Sequence, residues 1–255
     1  MTSSPGLSIR AALLGLAVAA AAPVAAGAQG AGRGFLFHEP VGSVTLRGGV
    51  AGASARSDIF ALATEQLTLG RGDFAGPSFG ADFAFRVAPR ADLMFGAAYA
   101  GSSARSEFRD WVEETESGDR PIEQTTTFRR IPLTVGLRGY ITPRGRTIGR
   151  FAWVPARTAM YVGAGGGLMW YRFGQQGDFV DAETQEIFSG DLVSSGWTPT
   201  AHALAGVDFS LGAHLALTTE GRYGWAKARM DEQFEKFRPI DLSGYAATVG
   251  LSIRF

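Results

Sequence analysis

No cysteine occurs anywhere in the 255 residues, which removes disulfides, thiolate metal sites and a thiol nucleophile together. Charge is also scarce: 19% of residues are charged and the formal net charge is zero, so nothing in the electrostatics calls for nucleic acid. Histidine is confined to His38, His202 and His214. Beyond the N-terminal segment, no window approaches the ~20 uninterrupted apolar residues that a membrane-spanning helix needs. Any crossing of a bilayer by the rest of the chain must therefore be made by strands.

The N-terminus has its own grammar. Arg10 supplies a positive charge, residues 11–22 form an apolar run, Pro23 ends it, and Ala26-Gly27-Ala28 precedes Gln29. A charged start, a short apolar stretch and small residues at an A-x-A site read as a secretory signal peptide. The expected organisation is a cleaved signal at 1–28, a periplasmic segment at 29–42 and an exported domain at 43–255.

What the chain has in quantity is glycine, 35 residues of it, set among segments that alternate apolar and polar. Eight such segments follow residue 40, each about long enough to cross a bilayer as a tilted strand. Val44, Leu46 and Val50 alternate with Ser43, Thr45 and Arg47; Phe79, Ala81, Phe83 and Phe85 alternate with Asp82 and Arg86. Leu93, Phe95 and Tyr99 form the third apolar face, and Ile131, Leu133, Val135 and Leu137 the fourth, set against Arg138. The fifth segment is glycine-rich, with Met160, Val162, Leu168 and Trp170 assigned to its apolar face. The last three set Trp197, Val207 and Phe209 against His202 and Asp208, Leu217 and Trp225 against Glu220 and Arg222, and Val249, Leu251 and Ile253 against Arg254.

One face of these strands is small or charged, and the other is bulky. A narrow closed barrel has a crowded interior that suits small residues, so the bulky face is expected to meet lipid and the compact face the lumen. The fold class that follows is all-β: a transmembrane, up-and-down antiparallel barrel of eight strands. With odd strands running outward, Phe79, Tyr99, Trp170, Trp197, Trp225 and Tyr245 fall at the extracellular ends of the apolar faces. Aromatics sorted in that way form a girdle among lipid headgroups, which makes outer-membrane lipids and lipopolysaccharide the expected surroundings. Long polar connections at 54–77, 102–127, 174–196 and 227–243 are read as extracellular loops, and the tight turns at 88–91 and 210–213 as periplasmic.

The C-terminal Leu251-Ser252-Ile253-Arg254-Phe255 resembles the terminal strand signature of small Gram-negative outer-membrane β-barrels. The segment Arg130 to Arg138 resembles a stretch common in barrels of the OmpA, OmpX and OmpW type. That resemblance implies integral outer-membrane residence and recognition of Tyr245, Val249, Leu251, Ile253 and Phe255 by the barrel-assembly machinery. It transfers no activity. The chain is expected to end with the barrel, without a peptidoglycan-binding domain.

Candidate chemistry is sparse. The lumen-facing set is Arg47, Asp82, Arg86, Arg138, His202, Asp208, Glu220, Arg222 and Arg254, and mixed charges enclosed together should pair. That pairing gives a plug, a narrow polar path, or a plugged barrel with a ligand pocket at its outer mouth. Asp178, Asp181, Glu183, Glu186 and Asp191 fall in one connection without a basic residue; carboxylate oxygens suit divalent cations, although a solvated surface is the simpler reading. The connection 142–158 carries Arg144, Arg146, Arg150, Arg157 and Trp153 with no acid. It either lies on phospholipid headgroups or is a solvated turn. Gly163-Ala164-Gly165-Gly166-Gly167 is not followed by Lys-Ser/Thr and so is no phosphate loop, and Arg71-Gly72-Asp73 is a tripeptide of the kind that recurs by chance. No nucleophile, base and orienting group can be assembled around His202, so no enzyme, no cofactor and no bound metal is expected. The expected role is structural or surface-interactive through acidic extracellular loops. A narrow channel or lateral-exit pore for small hydrophobic solutes, and a lipid-modifying enzyme, are the alternatives.

Overall fold

The computed structural model describes residues 34–115, 118–150, 152–180 and 186–255. The signal peptide expected at 1–28 lies outside the described residues, and the unit set out below is Phe35–Phe255.

Its strands are β1 (Gly42–Ala53), β2 (Ala75–Ala88), β3 (Ala91–Thr115), β4 (Gly118–Tyr140), β5 (Gly145–Ile148), β6 (Ala152–Pro155), β7 (Thr158–Val180), β8 (Ile187–Ser210), β9 (Leu215–Ala228), β10 (Ile240–Asp241) and β11 (Gly244–Arg254). The long strands hydrogen-bond in the cyclic order β1-β2-β3-β4-β7-β8-β9-β11, with β11 returning to β1 from Ser43↔Arg254 to Ala53↔Gly244. Every neighbouring pair is antiparallel. Eight strands thus close on themselves, which satisfies the backbone within hydrocarbon and leaves no edge facing lipid.

The two faces are inverted relative to a soluble barrel. Leu46, Phe79, Leu137 and Trp197 are 65%, 60%, 58% and 58% exposed, whereas Thr45, Arg47, Asp82 and Arg138 are all buried. Val135 and Val249 likewise point outward. The phase of β7 follows the same rule: Met160, Val162 and Leu168 are exposed, and Ala159, Tyr161, Met169 and Tyr171 are buried. Its glycines explain themselves by proximity. A Cβ on Gly165 would sit 2.6 Å from Gly136 Cα and 2.8 Å from His202 Cε1. Gly165→Ala should therefore lower unfolding stability in micelles by about 1–3 kcal/mol, the usual range for overpacking; an unchanged denaturant midpoint would contradict this.

The chain extends well past the membrane at one end. β3, β4, β7 and β8 are 23 to 25 residues long, about twice what a tilted crossing requires. The connections expected as loops at 102–127 and 174–196 are therefore largely paired strand, with Ser106 opposite Gln124 and Asp178 opposite Ser189. Period two continues through them: Gln124, Thr126 and Phe128 are buried while Thr125 and Thr127 are not. Polarity on both faces hid it. The connection 54–77 is ordered as well, containing α1 (Asp58–Gln66) and a 3₁₀ turn at Arg71–Phe74. Asp58 lies in the first turn of α1, where a carboxylate opposes the helix dipole favourably.

A second core results at the outer mouth. Ile59, Phe60, Ala63 and Leu67 from α1 and its exit, with Leu69 and Phe74, pack on the inward residues Phe128, Met169, Tyr171, Phe173 and Ala226, and on Phe234, Ile240 and Leu242 from the last loop. The Phe60 ring meets Phe74, Phe128 and Phe173 at 4.7, 5.5 and 5.7 Å, distances typical of favourable edge contacts. The free edges of the projecting sheet are also covered, as strand edges must be. Thr68 N–H donates to Glu107 O at 2.8 Å along β3, and the Arg109 guanidinium donates to Leu67 O at 2.8 Å. Along β8, Val193 N–H and Ser195 N–H donate to Gln233 Oε1 and Asp231 Oδ2, each at 3.0 Å.

At the other end the basic connection is a short hairpin, with one arginine turned inward and three exposed. β5 and β6 form a hairpin whose Trp153 exchanges backbone hydrogen bonds with Leu36 and is buried, so this ring is not an interfacial anchor. Arg144 turns toward the barrel and pairs with Asp92. Arg146, Arg150 and Arg157 stay exposed.

Candidate functional site

The polar interior is built by strand phase and then by register. Asp82 lies directly opposite Thr45 in the β1–β2 ladder, which places Arg47 diagonally within reach, as for any i, j±2 pair. Arg47 ion-pairs with Asp82 and reaches Glu220 Oε1 at 3.5 Å. Arg222 donates to the same Glu220 oxygen at 2.9 Å and lies 3.6 Å from Asp82. Tyr161 Oη completes the group, 3.0 Å from Thr218 Oγ1 and donating to Glu220 Oε2 at 3.3 Å. Two acids and two bases are thereby mutually neutralised, which is the condition for keeping them out of water.

Below it lies a second group at the periplasmic end. Asp92, opposite Arg138 in the β3–β4 ladder, accepts from Arg138 at 2.9 Å and from Arg144 at 2.9 and 3.1 Å. Both guanidinium groups also lie over the Tyr140 ring, at 5.2 and 4.8 Å, and the Tyr140 hydroxyl donates to Asp208 at 3.1 Å. Arg254 donates to Ser210 Oγ at 2.9 Å. Arg86 does not join the interior network to which its strand phase assigned it. It sits at the rim and pairs with Glu39, which also lies 3.7 Å from Arg144. Asp92, Arg144, Tyr140 and Tyr161 are members that sequence reasoning left out. Asp92 carries the inward phase, and its role needs only the β3–β4 register; the return of Arg144 from a turn has no sequence signal.

Between the ion groups and the apolar cap is a cavity of about 80 Å³, lined in part by Arg47, Arg130, Thr134, His202, Glu220 and Arg222. Arg130 spans toward the cap, donating to Leu242 O at 3.0 Å. His202 is buried with neither ring nitrogen hydrogen-bonded to protein. Most of the cavity wall is apolar, but a space of this size has room for several waters, which suit such nitrogens.

On the outside, Phe79 pairs with Tyr99 and Trp170 with Trp197 across adjacent strands. Trp225 and Tyr245 are also exposed, each at least half. Tyr245, Val249, Leu251, Ile253 and Phe255 all face outward along the last strand and its end. Among the described residues, no group of three or more carboxylates or imidazoles is placed to hold a metal ion. Asp178 accepts from Ser189 Oγ at 2.5 Å, Asp191 lies opposite Gln176, and Asp181 and Glu183 lie outside the described residues.

A closed eight-strand ring with a bulky apolar exterior, an aromatic rim and a neutralised polar interior is an integral outer-membrane β-barrel. The chain matches no protein-family model and no curated protein sequence. Among solved structures it is similar to OprG from Pseudomonas aeruginosa, at 13% identity and a TM-score of 0.45 over 86% of this chain and 99% of that one. It is also similar to Neisserial surface protein A, at 13% identity and 0.42 over 84% and 97%, and to the outer-membrane protease OmpT from Escherichia coli, at 8% and 0.38 over 90% and 100%.

Proposed function

We propose that this barrel works through its extracellular surface and not as a conduit: it is a closed membrane anchor presenting a rigid sheet to the outside. The observation that carries this reading is closure at both ends. The apolar core built on Phe60 fills the outer mouth, and the Asp92, Arg138 and Arg144 group occupies the periplasmic end. Closure also bears on the lateral-exit alternative. The β8–β9 ladder ends at Thr200↔Ala226, but beyond it Thr198 Oγ1 donates to Lys227 O at 2.6 Å and the last loop caps the β8 edge. What remains is a platform of four paired strands, held by its own core and projecting from the cell.

Purified protein reconstituted into planar bilayers should give no stepwise current at any moderate voltage. Reproducible unitary steps from the unaltered chain would overturn the reading.

A further inference from the structure

One register step beyond the aromatic rim, Arg129 on β4 lies directly opposite Arg172 on β7. Both are exposed on the outward face, and the next outward pair toward the membrane is Ile131 and Trp170, the latter paired in turn with Trp197. Like charges set directly across a ladder repel, and strand pairs usually avoid the arrangement. Asp231 lies one strand away, accepting from the N–H of Ser195, the residue opposite Arg172, and no ion pair links it to either arginine. The outward neighbours are Gly101 and Ser103 on β3, Thr127 on β4, and Ser195 on β8. The first outward acid along β4 is Glu123, which is already paired with Arg105. Glu123 raises the Arg105 pKa through that hydrogen bond, whereas among the described residues no ion pair or hydrogen bond holds the side chain of Arg129 or Arg172.

A third group points to the same spot. Tyr99 belongs to the rim, and its hydroxyl rises to lie 2.5 Å from where a Cβ on Gly101 would stand. Gly101 is the residue paired with Arg129. Two exposed arginines and a tyrosine hydroxyl therefore share one stretch of the outward face, at the level of the aromatic rim. Guanidinium matches phosphate oxygens through paired, charge-assisted hydrogen bonds, and a basic cluster at the headgroup level is how membrane proteins hold anionic lipid.

We propose that Arg129, Arg172 and Tyr99 form a clamp for a phosphate group of lipopolysaccharide, on its glucosamine headgroup in the outer leaflet. The phosphate supplies the counter-charge that the β4–β7 ladder lacks, while the acyl chains lie along the Trp170, Trp197 and Ile131 surface beneath. The proposal rests on the membrane placement of the barrel and is independent of the surface role proposed above.

The test titrates lipid A into detergent-solubilised protein and follows tryptophan emission, since Trp170 is adjacent. The double variant Arg129→Gln/Arg172→Gln should bind about thirtyfold more weakly, taking each basic group near a lipid surface at its usual contribution. Arg129→Lys/Arg172→Lys should bind with an affinity between the two, keeping the charge but losing the paired hydrogen bonds. In an uncharged detergent without lipid the Gln variant should unfold at or above the wild-type temperature, because the repulsion is gone; with lipid A the order should reverse. Equal binding by wild type and Gln variant would overturn the proposal. So would full binding of lipid A stripped of its phosphates. Saturation by millimolar inorganic phosphate would also overturn it, making this a site for the free ion and not for lipid.

Discussion

Phe60→Ala is expected to open the extracellular end of the protein without unfolding the barrel. The ring is fully buried and bridges α1 to three other aromatic rings, Phe74, Phe128 and Phe173. Truncation of a buried phenylalanine costs about 3–5 kcal/mol when the site does not collapse. Here the loss falls on a local unit. α1 is nine residues long, too short to be stable without tertiary packing, and Phe60 is the largest of the side chains it buries, beside Ile59 and Ala63. Arg238 N–H donates to Asp58 Oδ2 at 2.9 Å and Asp241 N–H to Ser57 Oγ at 3.1 Å. The ring of eight strands keeps its ladder regardless, so the two parts should separate energetically, as locally opening units do. Limited proteolysis should cut the variant within 54–77 while the transmembrane fragment stays folded and resists heat in detergent. A variant as protease-resistant as the wild type would show that the cap does not depend on this ring. The same variant should still be silent in planar bilayers, since the periplasmic group is untouched.

That division between barrel and cap is also the division between what the sequence discloses and what it conceals. Strand faces were legible because a lipid-facing strand has one unambiguous alternation, as in Leu133, Val135 and Leu137 against Thr134, Gly136 and Arg138. The strand extensions were not, because alternation between two polar faces, as at Thr125 and Thr126, leaves no hydropathy signal. The spacing Ile59, Phe60, Ala63 and Leu67 has helical period, yet it lies in a stretch rich in small and polar residues that reads as loop. Its partners, Phe128 and Phe173, are distant in the chain, so a core formed among them is invisible until the β4–β7 register sets them side by side. The lumen shows the same limit. Phase identifies Arg47, Asp82, Glu220 and Arg222 as enclosed, but only the stagger between strands decides that they meet each other and that Arg86 meets Glu39.

The largest single loss should come from Asp92→Ala. This carboxylate is 2% exposed and is hydrogen-bonded to two guanidinium groups, Arg138 from a neighbouring strand and Arg144 from the turn below. Removing one partner of a buried pair commonly costs about 3–5 kcal/mol, because the charge left behind is neither solvated nor compensated. Here two cations would be left, stacked around the Tyr140 ring, with Asp208 committed to the Tyr140 hydroxyl. Arg144 has an escape that Arg138 lacks: it sits on a connection and can swing to water. The double variant Asp92→Ala/Arg144→Ala should therefore recover only part of the stability, since Arg138 remains enclosed on its strand. Asp92→Ala/Arg138→Ala should recover more. Denaturant midpoints in one detergent, compared as a cycle, would measure both couplings. If Asp92→Ala alone unfolds within about 1 kcal/mol of the wild type, the periplasmic end is wet, the ions there are already hydrated, and the plug on which closure depends is not one.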